Sequence, residues 1–338
     1  MMRHDLQAIV DLFRSGGRFL ITSHINPDGD AIGSELALYH LLRSLGKEVE
    51  VVNQDPLPRI YAFLPGSDVI ATASSPAGPF DATILVDCGG PDRTGSIISG
   101  DMARLGTLAN IDHHATSRPW GDLNLIDPAA SSTAELVHEL IVRAIGAPTL
   151  DMATCVYTGL VTDTGGFRYS NTTPGVLALA SGLVALGVDP AGVAKEIYDS
   201  TPYASLKLLA RALDSLSITA DGRIAWISLT EDDLAATGTD WESSEEFVSY
   251  PRSIPTVLAA LFFKQKQSGQ VKVSLRSRGP VDVSAVAATH GGGGHRNAAG
   301  CTIRASLPEA RETILREIAA LLDSTPHGQA PIQKGQPS

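Results

Sequence analysis

The chain has 338 residues, 43% of them hydrophobic, which is enough for two packed domains. Its 26 lysines and arginines stand against 37 aspartates and glutamates, and the formal charge of −11 excludes a long basic groove that binds duplex DNA by counterion release. Cys88, Cys155 and Cys301 are far apart with no CxxC pair, offering neither a disulfide framework nor a zinc site. The N-terminus has no signal-peptide core, and the longest apolar stretch, 176–188, is short and broken by glycine, so a soluble cytoplasmic protein with no membrane partner is expected.

In chain order, residues 18–23 (RFLITS) form a short apolar run, and 31–45 (AIGSELALYHLLRSL) have helical spacing and stop at Gly46. Between them lies HINPDGD. Further strand-like runs occupy 48–52, 82–86 and 108–111, with a helical segment at 132–145. This alternation predicts an α/β fold, a parallel doubly wound sheet covered on both faces, with its site in the loops at the carboxyl ends of the strands. From about 153 to 216 the pattern is helical, and strands return at 224–229, 256–264 and 271–276. That shift marks a second, smaller α+β domain. It should contain a helix at 283–289 and a strand at 301–304, and the polar tail 324–338 is expected to be disordered.

Four acidic or histidine-bearing places fall at the ends of apolar runs. They are His24, Asp28 and Asp30 in HINPDGD, Asp87 in ILVDCGGPDR, Asp112-His113-His114 in NIDHHATS, and Asp163 in GLVTDTGGFR. Each alone reads as turn or cap chemistry, with Asp30 capping the helix that follows. Together they fit a dinuclear metal centre. Oxygen donors with one or two imidazoles suit Mn²⁺, two ions per chain, with Mg²⁺ or Co²⁺ as substitutes. The carboxylates of Asp28, Asp30, Asp87 and Asp163 balance two dications, leaving a near-neutral site that can receive a phosphate.

With these motifs the chain resembles the DHH phosphoesterase superfamily from His24 to about Leu322. The resemblance rests on HxxxDxD, the Asp of VDCGGPDR, the DHH triplet, TDTGGFR, and HGGGGHRNAAG at 290–300. It implies a DHH catalytic domain at 1–190, a helical linker at 191–215 and a DHH-associated substrate-binding domain at 216–323. It also implies that His24, Asp28 and Asp87 hold one metal and that Asp30, Asp87, His113 and Asp163 hold the other, with Asp87 bridging. Asp112 would orient a histidine, and His114 would face the substrate phosphate.

The run Gly292-Gly293-Gly294 reads by composition as a linker. Placed between a helix and a strand, its N–H groups with His295 could instead cradle a phosphate, as the resemblance implies. Arg276 and Arg278 alternate along a strand and either add positive charge on one face or line a solvated edge.

Within the superfamily, the chain length and the glycine-rich motif are similar to those of the NrnA-type branch. Such proteins cleave very short RNA, such as pApA, and dephosphorylate adenosine 3′,5′-bisphosphate (pAp). The implied partners are therefore short RNA and mononucleotides rather than long duplexes, with room for a homodimer. A cyclic-di-AMP phosphodiesterase, a pyrophosphatase or another phosphomonoesterase is the alternative, and a non-catalytic nucleotide-binding regulator the least favoured, because every position of the pattern is filled. Arg118, Pro119 and Trp120 depart from the Asn and Phe that relatives often carry nearby, which bears on base stacking.

Overall fold

The computed structural model describes residues 5–73, 76–98, 102–267 and 269–324, with Gln267 and His295 described by their backbone alone. Apart from Ser324, which ends the last helix, the expected tail lies outside the described residues. The chain divides into two compact units, Met1–Ser200 and Thr201–Ser338, so the division falls inside the stretch expected as a linker.

The first unit contains α1 (Leu6–Ser15), β1 (Arg18–Thr22), α2 (Gly29–Ser44), β2 (Glu48–Asn53), β3 (Ile70–Thr72), β4 (Ala82–Val86), β5 (Thr107–Asp112), β6 (Leu123–Ile126), α3 (Thr133–Ile145), α4 (Leu150–Asp163), α5 (Pro174–Ala185) and α6 (Pro190–Tyr198). Its strands pair in parallel in the order β3-β2-β1-β4-β5-β6. The direction of winding reverses between β1 and β4, so the connections leaving these strands diverge and open a crevice at their carboxyl ends. HINPDGD follows β1 and Asp87 follows β4, which puts both at the reversal.

The two faces of this sheet are covered differently. Phe19, Ile21, Ile84, Val86 and Ile111 join the core built with α1 to α6, whereas Leu20, Leu85 and Leu108 on the opposite face meet Phe80, Ile97, Ile98 and Leu105 from loops and short turns. Helices therefore cover one face, and among the described residues the other is sealed by irregular chain. Trp120 packs into this second cluster and Arg118 is exposed, so the tryptophan has a packing role. The strands β3 and β6 are too short to stand out in the sequence. Helix α1 is amphipathic, burying Leu6, Ile9, Val10 and Phe13 on one face.

The second unit contains α7 (Tyr203–Asp214), β7 (Ser217–Ile218), β8 (Ile224–Thr230), α8 (Glu231–Thr237), α9 (Ser249–Ser253), β9 (Ala259–Gln267), β10 (Gln270–Ser277), α10 (Val283–Thr289), β11 (Gly293–His295), β12 (Ala298–Ile303) and α11 (Leu307–Ser324). Its sheet has the order β11-β12-β10-β9-β8-β7, antiparallel except for β8 with β9. One face packs on α10 and α11 through Val271, Val273, Leu275, Ile314 and Ile318. The other packs Ala225, Ile227, Ala260 and Phe262 against Leu208, Leu234 and Phe247.

The glycine run is an ordered edge of this sheet. Gly293 to His295 pair with Gly300 to Ala298, and a two-residue turn, Arg296-Asn297, joins the strands. A Cβ at Gly292 would lie 2.2 Å from the Gly300 carbonyl oxygen, and one at Gly294, where φ is +139°, would lie 2.5 Å from that of Ala298. Backbone approach, rather than linker flexibility, therefore demands glycine here. Arg276 lies within β10, but Arg278 lies beyond its end and donates to the Arg252 carbonyl at 2.6 Å, so the two do not alternate on one strand.

Candidate metal centre

The N-terminus of α2 is capped by Asp28, whose Oδ1 accepts from the backbone N–H of Asp30 at 3.0 Å and of Ala31 at 3.1 Å. The cap of α2 is thus Asp28, and Asp30 is not spent on it. Asp30 is 1% exposed and turns toward α3, where its oxygens accept from the N–H groups of Thr133 at 2.6 Å and Ala134 at 2.9 Å. A carboxylate here satisfies amides at a helix start that lack intrahelical partners. Two glycines make the approach possible: a Cβ at Gly159 would lie 2.9 Å from Asp30 Oδ1, and one at Gly33 would lie 2.5 Å from the Cys155 carbonyl oxygen, so α2 and α4 meet backbone to backbone.

Asp87 follows β4 with a φ of +54°, a left-handed conformation costly for a residue with a Cβ. Its N–H donates to the Ile111 carbonyl at 3.0 Å and its Oδ1 accepts from Thr133 Oγ1 at 3.0 Å, so both neighbours hold it there. Asp163 ends helix α4, inside the stretch expected to be helical, rather than following a strand. It reaches the site because α4 packs across α2. Asn171 Nδ2 donates to the Asp163 carboxylate at 3.3 Å and to the Ser131 carbonyl at 2.9 Å, tying α4 to the start of α3.

These residues assemble into groups whose donor atoms lie within 4.8 Å of one another: His24, Asp28 and Asp87; Asp30, His113 and Asp163; and Asp87, His113 and His114. The first has the three residues expected at one metal, the second has three of the four expected at the other, with Asp87 outside it, and no cysteine enters any of them among the described residues. His113 Nε2 stands 3.8 Å from Asp30, 3.6 Å from Asp87 and 3.7 Å from Asp163, and His24 Nε2 stands 3.4 Å from Asp87 Oδ2. These spacings are close to the roughly 3–3.5 Å between donors that share one small cation. His24 Nδ1 lies 2.9 Å from the Ile25 carbonyl, the arrangement that places its proton there and leaves Nε2 free as a donor atom. The residues present therefore fit divalent cations.

Electrostatics points the same way. Burial, reinforced by Asp87, Asp163 and Asp28, holds the Asp30 carboxyl well above its ordinary range. Burial likewise raises Asp163 to about 6 against the opposing pull of His113, with the charges of Asp87 and Asp28 adding to the rise. For Asp87 burial opposes ionisation, but the His24 hydrogen bond and the three histidines win and depress it. Burial disfavours protonation of His24 and His114, yet hydrogen bonds to Asp87 and Asp112 respectively raise each to about 9. Protons thus stand where cations would relieve the repulsion.

Asp112 is fully buried and its Oδ1 accepts from His114 Nδ1 at 2.7 Å and from the His114 backbone N–H at 3.2 Å. The histidine it orients is His114, whereas His113 Nδ1 faces the Ala130 carbonyl at 3.4 Å. Sequence reasoning missed Thr133, Asn171 and the start of α3. The one local signal was SSTAE at 131–135, a helix-start pattern in which Ser132 caps α3. Nothing in it announced hydrogen bonds to Asp30 and Asp87.

Residues 18–160 match the DHH family, N-terminal domain, and residues 226–324 match the DHHA1 domain. The chain is 36% identical over 303 residues to the "Bifunctional oligoribonuclease and PAP phosphatase NrnA" of Thermus thermophilus, covering 89% of each. It is 27% identical to the protein of the same name from Bacillus subtilis, covering 89% of this chain and 93% of that one. A solved exopolyphosphatase-related protein from Bacteroides fragilis superposes with a TM-score of 0.87 at 30% identity, covering 94% of this chain and 96% of that one. With both domains matched in order and the acid–histidine groups assembled at the reversal of the sheet, the chain belongs to the DHH family.

Proposed function

We propose that this protein is a metal-dependent phosphoesterase that hydrolyses very short oligoribonucleotides such as pApA to 5′-mononucleotides, and pAp to AMP and phosphate. The observation that carries the reading is the cluster of three acid–histidine groups, two of which share Asp87 and two His113, with His114 braced by Asp112. The activities named for the Thermus thermophilus and Bacillus subtilis relatives support the substrate class. The two substrates also share their chemistry, because in each the bond broken lies between phosphorus and the 3′ oxygen of a 5′-phosphorylated nucleoside.

In this reading His24, Asp28 and Asp87 hold one cation, and Asp30, Asp87, His113 and Asp163 hold a second. Two Mn²⁺ ions, with Mg²⁺ or Co²⁺ as substitutes, would supply charge neutralisation at the phosphoryl oxygens and activation of water. The protein's own residues provide the rest. Thr133 fixes one oxygen of Asp87, and the amides at the start of α3 fix Asp30, so the carboxylates are oriented before any ligand arrives. Asp112 accepts a hydrogen bond from His114 Nδ1 and favours the protonated ring, so the opposite ring nitrogen can donate to a phosphate. Within the second unit, Arg276, Arg278, the Gly292–Gly294 backbone and His295 are the substrate-binding residues of this reading. Among the described residues no single helix is long and apolar enough to cross a membrane, in keeping with a cytoplasmic enzyme.

Purified protein should be offered pAp, pApA, longer RNA, cyclic-di-AMP and pyrophosphate side by side with Mn²⁺. AMP and phosphate from pAp, AMP from pApA, and slower turnover of the others are expected. Pyrophosphate as the best substrate, or no product from pAp and pApA, would overturn the reading.

A further inference from the structure

The register of the second sheet gathers cations that the substrate contacts above leave unused. Lys264 of β9 stands directly opposite Lys272 of β10, whose other neighbour is Thr302 of β12. Two residues along, Phe262, Ser274, Gly300 and Gly293 form the next row, and two further the row is Ala260, Arg276, Ala298 and His295. Residues two apart in a strand share a face, so Lys272, Ser274 and Arg276 form one line across it.

Like charges directly opposite one another destabilise a sheet unless something neutralises them. Lys264 is fully buried and solved internally, its Nζ lying 3.0 Å from Glu245 Oε1. Lys272 is half-buried with no ion pair among the described residues. Arg276 is also half-buried, and its described hydrogen bond is to its own neighbour, the Leu275 carbonyl, at 3.1 Å. The carboxylates that act on this group, Glu245 and Glu246, face Lys264, Lys266, Lys272, Arg252 and Arg276. In a chain of net charge −11, this is a local excess of positive charge.

We infer that Lys272, with the Ser274 hydroxyl beside it, forms a second phosphate subsite that contacts an oligonucleotide one or more phosphates beyond the one held at Arg276. The inference rests on the oligonucleotide reading above. Lys272 and Arg276 are four residues apart, about 13 Å along an extended strand. The two phosphorus atoms of pAp are joined through a single ribose and lie closer than this, so pAp engages one cation and a longer chain engages both. Between them the row of Ser274, Gly300 and Gly293 has little side chain to obstruct a backbone laid across it.

The test is Lys272→Gln, measured at saturating Mn²⁺ and fixed ionic strength on pAp, pApA and 5′-phosphorylated tri- and tetranucleotides. Catalytic efficiency on the tri- and tetranucleotides should fall about tenfold through KM, pAp should change less than about twofold, and Lys272→Arg should restore most of the loss. Equal losses on pAp and the tetranucleotide, or none on either, would overturn the subsite. Calorimetric binding of the tetranucleotide to the chelated protein separates this from the enzymatic reading. Weaker binding by Lys272→Gln, with a salt slope smaller by about 0.7, supports the subsite even where turnover fails, whereas equal binding refutes it.

Discussion

In the first unit, the charged groups that matter come from chain leaving β1, β4 and β5 and from the end of α4, and Asp30, Asp87 and Asp112 among them are buried acids. In the second unit, Lys264, Lys272 and Arg276 lie on the flat of a sheet and are cationic, the first fully buried and the other two half-buried. The difference follows from the geometry of the two sheets. Parallel strands point the same way, so the loops after them converge on one end and can crowd groups that repel one another. An antiparallel sheet instead displays residues on a grid, rows set by register and columns by the two-residue period, which spaces contacts along an extended ligand. One geometry suits a point where charge must be concentrated, the other a line where a chain must be laid.

The hardest test of that contrast is Asp87→Asn, since Asp87 belongs to two of the donor groups and is fixed by Thr133. Turnover of every substrate, including bis-p-nitrophenyl phosphate, should fall by about a thousandfold or more, and calorimetry should show weakened Mn²⁺ binding. Retained turnover would remove the first unit from the chemistry.

A finer division should appear within the DHH triplet. His113→Ala should weaken Mn²⁺ binding on the order of 10–100-fold. His114→Ala should slow turnover with metal still bound, because the ring that Asp112 holds is His114. Equal metal loss in both variants would erase the distinction.

Arg276→Gln sharpens the comparison from the other side. Hydrolysis of pAp should drop roughly tenfold, as for a lost charge-assisted phosphate contact, while the small ester changes less than about twofold. A parallel loss on both would place Arg276 in the catalytic machinery or in folding.

An effect on stability rather than turnover concerns Glu35, fully buried on α2 and accepting from the Asn53 amide at 2.9 Å. Burial, against the hydrogen bonds from Asn53 and Ser23, pushes its carboxyl up from 4.5 to about 7. The folded protein therefore binds the proton more tightly than the unfolded chain. The resulting stabilisation is complete below about pH 4.5 and is lost as pH rises through about 7. Urea unfolding of chelated protein should show wild type losing about 2–3 kcal/mol relative to Glu35→Gln across that window. Curves that stay parallel from pH 4.5 to 8 would contradict the assignment.

Much of this molecule is written locally. Apolar runs bounded by turn residues were enough to place β1, β4, the core of α2 and the helix at 283–289, because strand and helix periods are set by neighbours within a few residues. The residue types of the candidate metal centre were legible for the same reason. Aspartates and histidines at the ends of such runs have no packing role that would explain them all. What the sequence determined by itself was thus the alternation of strand, acidic loop and helix, and the donor chemistry those loops carry. Tertiary structure decided which neighbour each donor meets. Asp28 caps α2 while Asp30 turns to α3, Asp112 braces His114 rather than His113, and Asp163 arrives from a helix end. The glycines at 292 and 294 are required by a facing strand, and Lys272 meets Lys264 only once β9 and β10 are in register. These are contacts between residues far apart in the chain, set by helix crossing and strand pairing, and no local pattern encodes them.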